Sequence, residues 1–272
     1  MELVTRWCIA ALLISLSPDA PAAEDPANRP DDLQHMREEL GVNEFTAPAI
    51  GRLFEELAAL KPIPFETAWR TLPDHSPQDR RRLALLAGQV IANGFLAVSA
   101  EKQSRIEPVG RVLLKLARGL GVGDRINKRS KSILELAARQ RWPEIQAELA
   151  KAQAEVEAGM IELKDEEIAH LVSLGGWLGG LEIMSSIVAE NYSPARAKRL
   201  NQPELLTYYI DRVETLNPAF KASSLGKVLE RDLGKLRALT ARETTEVISM
   251  ENVRQIRDLA RSINKEINKT DE

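Results

Sequence analysis

IAHLVSLGGWLGGLEIMSSIVA, residues 168–189, is the segment that decides how this chain folds. It is apolar over the length of a membrane span, yet it carries two overlapping pairs of glycines four residues apart, at positions 175, 176, 179 and 180. Such pairs let a second helix backbone approach closely. His170 and Glu182 also lie in it, and an acid at the bilayer centre costs about 3 kcal/mol. We therefore expect a buried core helix and no stable transmembrane span.

A second segment, residues 83–100 (LALLAGQVIANGFLAVSA), is like residues 171–188 of the first in length and apolar character, and it also contains glycines. No segment shows the alternation of apolar and polar residues that is typical of strands. Aromatic residues make up only 4% of the chain, so Leu, Ile, Val and Ala must fill the core. The sequence predicts an all-α fold, a helical bundle around these two Gly-rich buried helices.

Capping residues and helical periodicity give the approximate bounds of the helices. The predicted helices are 31–40, 47–60, 65–71, 77–101, 107–119, 123–140, 143–190, 194–200, 203–216, 222–239 and 241–268. The helix 143–190 is expected to be the long central element. The C-terminal helix carries a coiled-coil-like apolar stripe with spacings of three and four, which predicts packing along another long helix. The stripe consists of Val253, Ile256, Ala260, Ile263 and Ile267.

The N-terminal residues have the pattern of a cleavable signal peptide. Arg6 precedes a short apolar core at 8–16, and Ala20-Pro21-Ala22 offers a small-x-small cleavage site. Cleavage near Ala22 would remove Cys8, the only cysteine, and would exclude disulfides from the mature chain. We expect a signal peptide at 1–22, a flexible segment at 23–30 and one helical domain at 31–272. Two packed halves, 31–141 and 142–272, are the alternative arrangement.

Glu182 is a charged residue within the first apolar segment, and Asn93 and Gln89 on the second one, or an Arg, are its candidate partners. A buried carboxylate must find partners. We favour a polar contact that sets the register of the helices, and a ligand-binding site in the bundle core is the alternative.

Glu167 and His170 form a Glu-x-x-His pair, the spacing found in carboxylate-bridged metal bundles. Those sites need further motifs of the same kind, which the other two histidines do not supply. A complete metal site is therefore not expected, although these two residues are the metal-binding candidates.

Basic residues dominate 102–131, whereas acidic residues dominate 144–167. The simplest interpretation is that the two blocks pair as antiparallel helices. The alternative is that the basic block contacts an anionic surface. The candidate contact residues are Arg111, Lys115, Arg118, Arg125, Lys128, Arg129 and Lys131.

The function classes that remain are limited by charge and motifs. With 37 basic and 40 acidic residues, the chain lacks the positive excess of a nucleic-acid-binding domain. No catalytic or cofactor motif stands in the required context, so an enzyme is the less favoured interpretation and no cofactor is expected. We expect an exported, periplasmic or extracellular scaffold or binding protein whose partner is a protein or an anionic envelope polymer. A metal- or ligand-binding bundle and a membrane-associated protein are the alternatives.

Expression of the full chain in an exporting bacterial host should yield a protein whose first residue is Ala23. Intact-mass measurement of the exported fraction checks this. Replacing Ala20 and Ala22 by Glu should block cleavage, because signal peptidase accepts only small residues there. A wild-type protein that retains Met1 would contradict the signal-peptide hypothesis.

Overall fold

The computed structural model describes residues 50–163, 165–240 and 247–270, and within these ranges every regular element is an α-helix. The predicted all-α class is confirmed. The predictions for residues 1–49 lie outside the described residues. The helices are α1 (Ile50–Ala59), α2 (Phe65–Ala68), α3 (Arg80–Ser99), α4 (Gln103–Leu120), α5 (Gly123–Ala138), α6 (Trp142–Leu163), α7 (Glu166–Glu190), α8 (Pro194–Lys198), α9 (Pro203–Glu214), α10 (Pro218–Ala222), α11 (Ser224–Thr240) and α12 (Met250–Ile267).

The expectation of one helix over 143–190 was wrong, because α6 ends at Leu163 and α7 begins at Glu166. Asp165 has a non-helical backbone (φ −107°, ψ 65°), and its carboxylate lies 2.8 Å from the Arg80 guanidinium. Acidic residues favour the first turn of a helix, where the backbone dipole is positive. The acidic run that ends in Glu166 and Glu167 therefore marks a helix start.

The last helix also begins later than its predicted start at residue 241. Residues 247–249 are not helical, and the Ser249 hydroxyl accepts a hydrogen bond from the backbone N–H of Asn252 at 3.1 Å. Ser249 is thus the N-cap that sets the start of α12 at Met250.

The Gly-rich helices α3 and α7 pack in parallel with their backbones in contact. Arg81 at the start of α3 pairs with Glu167 at the start of α7, and Ala92 lies beside Gly179 further along both helices. A Cβ atom on Gly88 would lie 2.1 Å from the carbonyl oxygen of Val172. A Cβ atom on Gly175 would lie 2.0 Å from the carbonyl oxygen of Leu85. Only glycine permits this approach, because a side chain would overlap backbone atoms.

The remaining helices cover this pair. α4 runs antiparallel to α3, with Val109 near Gly94 and Leu83 near Gly119. α5 and α6 form an antiparallel pair beside α4, and α9 and α10 pack against α11. α12 packs along α7 as predicted, and all five residues of its apolar stripe are fully buried.

Both α3 and α7 are long and apolar enough to cross a membrane by length and composition alone. In this fold 83% of the apolar window of each helix is buried. A buried core helix of a bundle also meets these criteria of length and composition, so they do not distinguish a membrane-spanning helix from a core helix.

Replacing Gly88 by Ala should lower the free energy of unfolding by about 2 kcal/mol or more, because the new methyl group overlaps the α7 backbone. Gly234→Ala in α11 is the matched control, since no atom lies within 4 Å of its Cβ position. The control should gain up to about 1 kcal/mol in helix propensity. Urea unfolding monitored by circular dichroism measures both. Equal stability of the two variants would contradict the close approach of α3 and α7.

Candidate functional site

The Glu182 side chain is buried near the middle of α7 and contacts three side chains from elsewhere in the chain. Its Oε2 atom accepts a hydrogen bond from Asn264 Nδ2 at 2.8 Å, and Arg70 Nη1 lies 3.6 Å from the same oxygen. Its Oε1 atom accepts a hydrogen bond from Arg261 Nε at 3.2 Å. Both carboxylate oxygens therefore have protein partners.

Arg70 reaches this site from the segment that follows α2. Its guanidinium donates to the Gly179 carbonyl oxygen at 2.8 Å and to Asn93 Oδ1 at 3.0 Å from Nη2 and 3.2 Å from Nε. Asn93 Nδ2 donates in return to the Arg70 carbonyl oxygen at 3.2 Å. Because Gly179 has no side chain, the guanidinium can lie against the α7 backbone. Burial lowers the pKa of Arg70, while the neighbouring Glu182 carboxylate acts in the opposite direction.

Gln89 extends the same network towards the end of α12. Its Nε2 atom donates to Asn264 Oδ1 at 3.0 Å, and its Oε1 atom accepts from Asn268 Nδ2 at 2.6 Å. Asn264 Nδ2 also donates to the Leu178 carbonyl oxygen at 3.1 Å. The network thus joins α3, α7, α12 and the segment after α2. We call it the Glu182 cluster, which consists of Arg70, Gln89, Asn93, Glu182, Arg261, Asn264 and Asn268.

The structure brings the three predicted ligand-binding candidates, Glu182, Asn93 and Gln89, into one cluster. Asn93 is connected to Glu182 through Arg70, and Gln89 is connected to it through Asn264. Asn264 borders the apolar stripe of α12, four residues after Ala260, and this spacing was the signal in the sequence that could have identified it. Arg70 carried no such signal, because it lies outside any long helix.

The two metal-binding candidates, Glu167 and His170, do not face a common point. Glu167 pairs with Arg81, whereas His170 Nε2 lies 3.0 Å from Glu166 Oε1. His170 Nδ1 lies 2.7 Å from the Tyr208 hydroxyl. Within the described residues, no group of three or more His, Cys, Asp or Glu side chains could hold a metal ion.

The His170 contacts form a polar group between α7 and α9. Burial lowers the pKa of His170, which favours the neutral ring at pH 7. Burial also raises the pKa of Tyr208 to about 12, so its hydroxyl stays protonated and can donate to His170 Nδ1. Arg212 lies over the Tyr208 ring at 5.3 Å and pairs with Glu166 at 3.3 Å. A phenol with a raised pKa is a hydrogen-bond donor here, not an activated nucleophile.

The predicted basic contact residues have different environments. Arg125 pairs with Glu162, and Arg129 lies 3.4 Å from Glu148, so the antiparallel pairing of α5 with α6 is confirmed at these two positions. Lys131 lies 3.9 Å from Glu135 on its own helix. The side chain of Lys128 lies outside the described part of the chain. The three candidates on α4, which are Arg111, Lys115 and Arg118, are exposed.

Comparisons of this chain with protein-family models, with curated proteins and with solved structures gave no match.

Glu182→Gln should lower the free energy of unfolding by about 3 kcal/mol, because it leaves the Arg70 guanidinium buried without its carboxylate. Glu107→Gln is the matched control, since Glu107 pairs with Arg111 at the surface and exposed pairs contribute little. Urea unfolding should show no measurable change for the control. Combining Glu182→Gln with Arg70→Leu should cost less than the sum of the single changes. Additive losses would contradict direct coupling of Arg70 and Glu182.

Proposed function

We propose that this chain is an exported, non-catalytic helical scaffold or binding protein that contacts an anionic envelope polymer through α4. The observation that carries the proposal is the closure of the Glu182 cluster by protein atoms. Its charged and amide groups hold together segments that are far apart in sequence, such as Gln89 and Asn264, 175 residues apart. The residues best suited to chemistry in the core are thus used to join helices.

The parallel packing of α3 and α7 supports a core role for this pair over membrane insertion. Two parallel helices could cross a bilayer together only if the chain between them crossed it as well. Residues 100–163, all described, contain no third helix that meets the same criteria of length and hydropathy. Insertion of both helices would therefore require them to separate at their glycines.

The exposed face of α4 supports an anionic partner. Arg111, Lys115 and Arg118 follow one another at spacings of four and three, which places them on one side of the helix, where Arg111 also pairs with Glu107 at 2.8 Å. The opposite side of α4 buries Leu116 and Ala117 against the core. The basic side chains are thus presented by a helix that is held firmly in place. We call these three residues the α4 basic face.

Changing Arg111, Lys115 and Arg118 together to Gln should weaken binding to heparin, used as a soluble polyanion, by at least about tenfold. Each basic residue near an anionic surface contributes about 1 kcal/mol. The matched control changes Lys227, Arg237 and Arg254, which are also exposed, to Gln. The control has the same net charge, so it separates a local face from a general charge effect.

Affinity should be measured by fluorescence anisotropy at several salt concentrations. Binding that falls with salt in the wild type and control, but is lost in the α4 variant, supports the proposal. Equal weakening of both variants would show general charge attraction and would overturn the assignment to α4.

A further inference from the structure

Three aromatic side chains of α7 and α9 lie in contact in a row. The Trp177 and Tyr209 rings have centroids 5.3 Å apart, and the Tyr209 and Tyr208 rings have centroids 5.4 Å apart. Trp177 and Tyr208 are partly exposed, whereas Tyr209 is fully buried and contacts both. The chain has only three tyrosines and four tryptophans, and three of these residues form this row. We call it the aromatic row, and its rings are close enough for an electron to pass from one to the next.

The hydroxyl of Tyr208 has a proton acceptor in hydrogen-bond contact. It lies 2.7 Å from His170 Nδ1, and His170 Nε2 lies 3.0 Å from Glu166 Oε1. Because burial raises the pKa of Tyr208 to about 12, the phenol keeps its proton at neutral pH. A phenol that loses an electron becomes a strong acid, so its proton then moves to a neighbouring base. The imidazolium formed at His170 is stabilised by the Glu166 carboxylate.

The other two tyrosines have different hydroxyl contacts. The Tyr209 hydroxyl lies 2.8 Å from the Ser173 hydroxyl, and the Tyr192 hydroxyl donates to the Ile248 carbonyl oxygen at 3.0 Å. A serine hydroxyl or a peptide carbonyl does not take up a proton at neutral pH, whereas a neutral imidazole does. The contact with an imidazole nitrogen therefore makes Tyr208 the tyrosine that is easiest to oxidise.

The cation beside Tyr208 does not oppose this oxidation. Arg212 lies over the Tyr208 ring at 5.3 Å and pairs with Glu166 at 3.3 Å. Because the proton leaves together with the electron, the Tyr208 side chain is neutral before and after the step. The new positive charge appears on His170, where Glu166 offsets it.

We infer that the aromatic row is a one-electron redox site that passes electrons from Tyr208 through Tyr209 and Trp177 to an oxidising radical at the surface. The radical takes one electron from the Trp177 indole, and Tyr208 replaces that electron by way of Tyr209. The Tyr208 O–H bond breaks, its proton binds His170 Nδ1, and a neutral tyrosyl radical is formed. A one-electron reductant, such as ascorbate or a small phenol, returns the electron, and the proton returns from His170.

The consequence is that oxidising equivalents that reach the indole of Trp177 are moved to a phenol that can be reduced again. The inference goes beyond the proposed function, because it concerns α7 and α9 and a different chemistry from the α4 basic face. Either one can fail while the other holds.

The test uses the intact purified protein with photogenerated tris(bipyridine)ruthenium(III) as the one-electron oxidant. Transient absorption and electron paramagnetic resonance detect the tyrosyl radical. In the wild type the radical should form more slowly in heavy water, because a proton moves with the electron. Tyr208→Phe should remove most of the radical signal. Tyr192→Phe is the matched control, since its hydroxyl contacts a carbonyl oxygen, and it should leave the signal unchanged.

Two further variants test the proton acceptor and the path of the electron. His170→Gln keeps a hydrogen-bond acceptor beside Tyr208 but removes the basic nitrogen. It should slow radical formation about a hundredfold, the lower end of the range for a positioned proton acceptor. Trp177→Phe should slow formation severalfold, whereas Trp142→Phe, at a partly exposed position on α6, is the matched control and should not.

Four outcomes would overturn the inference. These are the absence of a tyrosyl radical or of a solvent isotope effect in the wild type, an undiminished signal in Tyr208→Phe, equal rates in the wild type and His170→Gln, and equal effects of Trp177→Phe and Trp142→Phe. Circular dichroism of each variant confirms folding. The isotope effect is measured on the wild type, so a folding defect in a variant leaves the inference open to refutation.

Discussion

The backbone contact between α3 and α7 is the constraint on which the rest of the fold depends. Gly88 on one helix and Gly175 on the other bring the two axes so close that no side chain fits between them. Because the helices are parallel, the chain must return to the start of α7 after it leaves α3. α4, α5 and α6 make that return, and α4 covers α3 on the way. The arrangement of the outer helices thus follows from one glycine-mediated contact.

The same contact explains where the polar core can form. Gly179 continues the glycine row, and the space beside it is filled by the Arg70 guanidinium. Glu182 lies one helical turn further along, where α12 supplies Asn264. A buried ion pair is weak evidence for stability but can select one packing among several. In this bundle, sliding α12 by one turn would separate Asn264 from both Gln89 and Glu182, so the cluster defines the register of three helices.

The sequence was sufficient to predict the helical class, the two Gly-rich core helices and the buried face of α12, because each depends on local periodicity and composition. It also singled out Glu182, Asn93 and Gln89, since polar residues in apolar helices are conspicuous, but Asn93 and Gln89 reach Glu182 only through Arg70 and Asn264. It did not reveal Arg70, whose position depends on how a short connecting segment crosses α7. The break before α7 was missed because Asp165 and the following acids suit either a solvated helix or a helix start. The sequence paired Glu167 with His170 as metal ligands by their spacing alone. In the fold, Glu167 contacts Arg81, whereas His170 contacts Glu166 and Tyr208.

The long separation between residues that meet in the core has a consequence for folding kinetics. Arg81 and Glu167 are 86 residues apart, and Gln89 meets Asn264 across 175 residues. Contacts between distant residues slow folding, because a long loop must close before they form. The core of this chain cannot be completed until α12 has been synthesised. A growing chain would therefore remain without its final tertiary structure until late in synthesis, a property compatible with the translocation of an unfolded chain that the proposed export requires.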